Sequence, residues 1–192
     1  MIPDLELLIR GIYSMKSLNQ TQTEQNTKLT QNCTIVQNVS SAPVQPACPL
    51  GTQAPVFRSC KELFEAGYKL SGIYRVDPLA DGKGGFGVYC DHGNGGGWTV
   101  LLRRYDGTLS FDRGWNAYVD GLGDLTGEFW VGLANMRRLT GGATFTIRFD
   151  LESPDGEKRY AEYNGSTLGT SKTKFRITQG SIERQVLVLN VD

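Results

Sequence analysis

Between residues 71 and 164 the sequence breaks into short apolar runs, each closed by glycine, aspartate or proline, and this punctuation limits the fold more than any other feature. The run "SGIYRVDP" predicts a strand ended by Asp77-Pro78, "GFGVYCD" a second, and "GGWTVLLRRYDG" a third closed by Asp106-Gly107. Three successive strands with glycine turns predict an antiparallel meander. After them the period of two is lost, and Trp130, Leu133, Met136 and Arg137 fall at helical spacing before Gly141-Gly142, which predicts a helix over 129–139. In "ATFTIRFDLES" the residues Phe145, Ile147, Phe149 and Leu151 alternate with polar neighbours, "PDGE" turns the chain and "KRYAEYN" returns it as a hairpin. The predicted class is therefore α+β, mainly antiparallel sheet with short helices.

Four segments follow from the same reading. Residues 1–30 form a polar, helix-capable leader in which Leu5, Leu8, Ile12 and Met15 keep 3-4-3 spacing, the pattern of a coiled-coil remnant or of a disordered lead. Residues 31–58 read as a proline-rich linker holding Cys33 and Cys48, without periodicity. The folded domain is expected over 59–178, and 179–192 is a divergent tail that closes on an apolar strand.

With 20 basic and 20 acidic residues the chain is formally neutral, and its basic side chains are scattered, so neither nucleic acid nor an anionic membrane is an expected partner. No apolar run is long enough for a bilayer helix, and Asp4 and Glu6 break up any signal-like start. An even set of cysteines (Cys33, Cys48, Cys60, Cys90) and the acceptor sequons at Asn19, Asn32, Asn38 and Asn164 nevertheless predict an extracellular, glycosylated protein.

The segment "YCDHGNGGGW" concentrates chemistry-bearing residues, but each catalytic reading meets an obstacle. A zinc site needs four ligands at usable spacing, and His92 beside Cys90 and Asp91 has neither a second histidine nor a Cys-x-x-Cys pair to join. A nucleophilic dyad would need Cys90 and His92 to converge in the fold with a free thiol, and in an oxidising compartment the Cys90 thiol is expected to be occupied. His92 is accordingly expected in a turn, without a partner. The run "GKGGFG" fits a dinucleotide fingerprint in letters only, because a strand follows it where a helix is required. Asp112 and Glu128 as a glycosidase pair have only their residue type in favour, the acidic turns "YDGTLSFD" and "SPDGE" read as solvated turns rather than calcium loops, and Trp98, Trp115 and Trp130 are expected as core anchors. No catalytic residue, resident metal or cofactor is assigned; the chain is read as a non-enzyme. Among the cysteines, Cys60 is the natural partner of Cys90 across a short loop, leaving Cys33 and Cys48 to pair with each other or to link chains into a homo-oligomer.

The segments "CKELFEAGYKLSGIYRVDP", "FGVYCDHGNGGGWTVLLRRYDG" with its continuation through "GEFWVGLANMRRLT", "TFTIRFDL" and "YAEYNGSTLG" together resemble the fibrinogen C-terminal globular domain, the module of fibrinogen, ficolins, tenascins, angiopoietins and tachylectin-like lectins. The resemblance runs from Cys60 to about Ile177. It implies a Cys60–Cys90 disulfide, secretion, oligomerisation through an N-terminal stalk, and partners that are glycans or extracellular proteins. The lectin branch makes a pattern-recognition role the first expectation, and a matrix or receptor-ligand protein the alternative. The family's calcium loop and ligand pocket belong to a C-terminal subdomain that the resemblance does not reach, so the fibrinogen-like domain is expected to be incomplete, or the chain a truncated product, with calcium expected only where that subdomain is present.

Overall fold

The computed structural model of the protein describes residues 10–17, 56–80, 84–93, 95–154 and 156–186. Its elements in chain order are β1 (Arg10–Ser17), α1 (Cys60–Glu65), β2 (Gly72–Val76), β3 (Phe86–Asp91), β4 (Trp98–Arg104), α2 (Trp115–Asp120), β5 (Leu122–Gly123), β6 (Phe129–Trp130), α3 (Leu133–Thr140), β7 (Phe145–Glu152), β8 (Lys158–Leu168), β9 (Ile177–Thr178) and β10 (Ser181–Val186). One sheet runs in the order β10-β8-β7-β1-β4-β3-β2, with β6 added to β4, β5 to β6, and β9 to β8. Every recorded pairing is antiparallel, so the fold is α+β with a mostly antiparallel sheet and short helices.

Local chemistry accounts for most of the boundaries. The first helix starts where Ser59, in extended conformation, accepts a hydrogen bond from the Glu62 N–H at 3.2 Å, an Ser-x-x-Glu start that satisfies one orphan donor. It buries Cys60 and Leu63. The meander β2-β3-β4 forms as its alternation requires: Tyr74, Val76, Val88, Cys90, Trp98 and Val100 are all buried. Phe129, Phe145, Leu101 and Met136 are the largest fully buried side chains, and they join sheet to α3 in one core.

Three expectations are corrected. The helix predicted over 129–139 begins only at Leu133, because Gly132 at φ 93° interrupts it and an added Cβ there would meet the Asp120 carbonyl oxygen at 2.7 Å. Phe129 and Trp130 are instead a short strand opposite Arg103 and Leu102. Trp98 is buried and Trp130 half-buried with its indole N–H donated to the Tyr118 carbonyl at 2.8 Å, but Trp115 is 54% exposed at the start of α2, so it is no core anchor. The leader reading fails over Arg10–Ser17: this stretch is a strand paired on both sides, with β7 and with β4, and the ladders of two flanking strands outweigh a weak helical spacing. Met15 is its core contact, 5% exposed. The remainder of the leader, residues 31–55 of the linker with Cys33 and Cys48, and the sequons at Asn19, Asn32 and Asn38 lie outside the described residues, while Phe57, expected in the linker, packs against the core and its carbonyl accepts the Asp77 N–H at 2.8 Å.

Candidate functional site

The glycine-rich turn after β3 is where the chemistry-bearing residues converge. Cys60 in α1 and Cys90 in β3 are joined, with Sγ atoms 2.01 Å and Cα atoms 5.4 Å apart, and both are completely buried. Asp91, at the end of β3, accepts from the Gly93 N–H at 2.8 Å and from the Ser71 hydroxyl at 3.2 Å; Ser71 Oγ in turn accepts from the His92 N–H at 2.8 Å. This clasp fixes the exit from the strand.

His92 is not the idle turn residue that its sequence position suggests. Only 7% of it is exposed, its ring lies against Phe64 (5.4 Å between centroids) and Tyr74 (5.7 Å), and Nδ1 accepts the Gly97 N–H at 3.2 Å. An accepting Nδ1 puts the proton on Nε2, which has no hydrogen-bond partner among the described residues. Burial pushes the imidazole below its ordinary pKa, against the opposing charge of Asp91 and with help from Lys69. Lys69 itself sits 3.4 Å above the Phe64 ring and donates to the Phe64 carbonyl. A neutral buried imidazole beside an oxidised cysteine closes the turn and has no thiolate to activate. Gly96 completes the packing: its φ is +68° and an added Cβ would lie 2.2 Å from the Phe64 ring.

Glu128 is committed in a different way. It is 3% exposed and accepts four backbone N–H groups, from Tyr105 (2.7 Å), Asp106 (3.1 Å) and Gly107 (3.0 Å) on Oε1 and from Leu109 (2.9 Å) on Oε2. Burial alone would raise its pKa, but the four donors outweigh it and hold the carboxyl at about 2. A carboxylate held ionised this firmly cannot serve as the general acid of a glycosidase pair with Asp112. The wrapped carboxylate sets the loop after β4.

A third polar centre was not anticipated. Arg148 on β7 is buried, bidentate to Asp150 (2.7 and 2.8 Å) and paired with Glu162 of β8 at 2.6 Å, with its guanidinium 3.9 Å from the Tyr160 ring centroid. Burial pulls its pKa down, yet the two carboxylates together hold it above the ordinary arginine value. The signal was present in the sequence: residues two apart on a strand share a face, and the register places Glu162 opposite Arg148 and Tyr160 opposite Asp150. Only the register was lacking.

Asn164, the one sequon among the described residues, lies within β8 half-buried; its Oδ1 accepts from the Thr146 hydroxyl, and Ser166, the third residue of the sequon, is fully buried. Among the described residues no three histidine, cysteine, aspartate or glutamate side chains stand together as metal ligands, and no helix is long and apolar enough to cross a membrane.

Comparison with known proteins adds the following. Residues 56–185 match the family described as fibrinogen beta and gamma chains, C-terminal globular domain. Human fibrinogen-like protein 1 is 40% identical over 127 residues, covering 65% of this chain and 40% of that protein. Human angiopoietin-related protein 7 is 36% identical over 132 residues, covering 68% of this chain and 38% of that protein. The chain thus spans about 40% of the length of these curated relatives. Among solved structures, the fibrinogen-like globe domain of human ANGPTL6 superposes with a TM-score of 0.63 at 30% identity, over 70% of this chain and 60% of that one. The lamprey fibrin D-dimer, complexed with the peptide Gly-His-Arg-Pro-amide, gives 0.63 at 28% identity, over 88% of this chain and 53% of that one.

Proposed function

The chain belongs to the fibrinogen C-terminal globular domain family, and from that premise we propose that it is an extracellular, non-enzymatic binding module that recognises protein ligands. The observation that carries the compartment is the buried Cys60–Cys90 bond, which persists only where thiols are not kept reduced. Protein recognition takes its support from the lamprey fibrin D-dimer, which is similar to this chain over 53% of its own length and was solved in complex with a peptide. The centres at His92, Glu128 and Arg148 hold turns and strands together, as a rigid recognition scaffold requires. Trp115 and Tyr105, both exposed aromatics, have the character of interface anchors. We assign interchain bonding to Cys33 or Cys48, making the working form a homo-oligomer, and glycosylation to Asn19, Asn32 and Asn38 but not to Asn164, whose side chain is engaged by Thr146 within β8.

Carbohydrate recognition of the lectin type is the reading that the experiment must separate. Full-length chain secreted from eukaryotic cells is offered in parallel to arrayed extracellular ectodomains and to N-acetylglucosamine resin, with and without calcium. Retention by an ectodomain, weakened by Trp115→Ala, is expected. Calcium-dependent retention on the sugar resin, unaffected by Trp115→Ala, would replace this reading with the lectin one.

A further inference from the structure

The strand at the centre of the sheet comes from outside the part of the chain that matches the family. Residues 56–185 carry the match, yet between β7 and β4 lies β1, Arg10–Ser17. It pairs along its whole length with β7, from Arg10 opposite Glu152 to Ser17 opposite Phe145. On its other side it runs from Gly11 opposite Arg104 to Met15 opposite Thr99 on β4, with a bulge between Tyr13 and Ser14. Met15 shares a small cavity with Leu139, Thr140 and Phe145 at the join of sheet and α3. Without β1 the ladder parts into β4-β3-β2 and β7-β8-β10, and both new edges expose unpaired backbone groups.

No tight turn ties β1 to either neighbour. Its connection to the domain is residues 18–55, a stretch that can reach on the order of 100 Å when extended. A connection of that contour length is long enough to reach the slot of an adjacent molecule as well as its own. That same stretch holds Cys33 and Cys48, which the Cys60–Cys90 bond leaves over. Once two chains are linked there, each slot has two donor strands at similar tether distance, and exchange no longer carries the cost of bringing free molecules together.

We propose that β1 is an exchangeable strand: Arg10–Ser17 of one chain completes the sheet of a second copy by entering its β4–β7 slot, giving a reciprocal dimer. The contacts are those already described, since a swapped strand makes the same ladder. This goes beyond the binding role above and rests only on the interchain link at Cys33 or Cys48 assigned there.

The pair Lys16 and Thr146, directly opposite in the register, tests this. Two differently tagged full-length chains, one Lys16→Cys and the other Thr146→Cys, are co-expressed and secreted, and the disulfide-linked peptides are identified by mass spectrometry. A 16–146 link can then arise only between chains. The same two substitutions placed in one chain, with Cys33→Ser and Cys48→Ser, report whether the pair is within bonding reach. With equivalent slots and random pairing of the two chains, the mixed sample is expected to give roughly a quarter of the link yield per Lys16→Cys site seen in the single-chain control, since about half of those chains meet a Thr146→Cys partner and about half of these exchange. A link confined to the single-chain control would overturn the exchange, and so would its absence from both samples, which would mean that β1 does not occupy the slot.

Discussion

Replacing Glu128 by glutamine is expected to remove a large, pH-dependent part of the domain's stability. The carboxylate accepts four backbone N–H groups while almost wholly buried, and its pKa is held at about 2 against an ordinary 4.5. At about 1.36 kcal/mol per unit, a shift of this size corresponds to about 3 kcal/mol of folding free energy. The sign follows from which form the donors bind. They favour the ionised carboxylate, so the folded state holds its proton less tightly than the unfolded chain does. The contribution is complete above pH 4.5 and is lost as pH falls from there toward 2. Glu128→Gln keeps one accepting oxygen but puts an amide donor where the other oxygen stood, stranding at least one buried N–H.

Urea unfolding of wild type and variant, run side by side at pH 7, 5, 3.5 and 2.5, isolates this carboxylate, because all other titrating groups cancel in the difference. That difference is expected to be about 3 kcal/mol at pH 7 and pH 5, shrinking steadily below. A pH 7 difference under about 0.5 kcal/mol, or one that stays constant down to pH 2.5, would refute the reasoning. The first result would make the four bonds energetically idle, and the second would make the loss a packing defect.

Three further outcomes are expected. Gly96→Ala should destabilise the fold at least twice as much as Gly95→Ala in thermal melts: both have positive φ, costing about 1–2 kcal/mol, but only Gly96 faces the Phe64 ring, whereas nothing lies within 4 Å of a Cβ on Gly95. In a Cys33→Ser, Cys48→Ser background, Cys60→Ser with Cys90→Ser should lower the unfolding free energy by about 3–4 kcal/mol at pH 7, as expected from opening a loop with sequence separation 30, with equal urea midpoints before and after reductant. Because His92 is held neutral below its ordinary pKa, wild type should lose stability as pH falls below 6.5, and His92→Gln should flatten the unfolding free energy between pH 7 and 5.

The meander and the β7–β8 hairpin were legible because their signals are local: alternation within a strand and glycine or aspartate between strands need no knowledge of distant chain. The partners of β1, by contrast, are Arg104 through Thr99 and Glu152 through Phe145, far away in sequence, while Ile12 and Met15 fall at a spacing that suits a helix equally well. Non-local contact also hid the Glu128 wrap, since an isolated Glu in a sequence carries no sign of which backbone will face it, whereas the Arg148 cluster lies within the β7–β8 hairpin and lacked only the register of that hairpin. Trp115 misled for a different reason. Tryptophan is buried on average, and only the placement of α2 leaves this one in solvent.

His92 shows how the corner works as a unit. Its burial depends on Phe64, Phe64 belongs to α1, and α1 is bonded to β3 through Cys60 and Cys90. If the disulfide holds α1 over the turn, breaking it should let the Phe64 face lift, wet the imidazole and relax its pKa toward the ordinary value. Redox state and proton affinity are then coupled through one helix, without any contact between the imidazole and sulfur being required. The chain has a single histidine, so one Hε1 resonance reports its titration without assignment among histidines. In oxidised protein the midpoint should lie below 6.5, and after reduction under native conditions it should move up toward 6.5. An unchanged midpoint in reduced, folded protein would mean that core packing alone seats α1 and that the bond acts only on the unfolded chain.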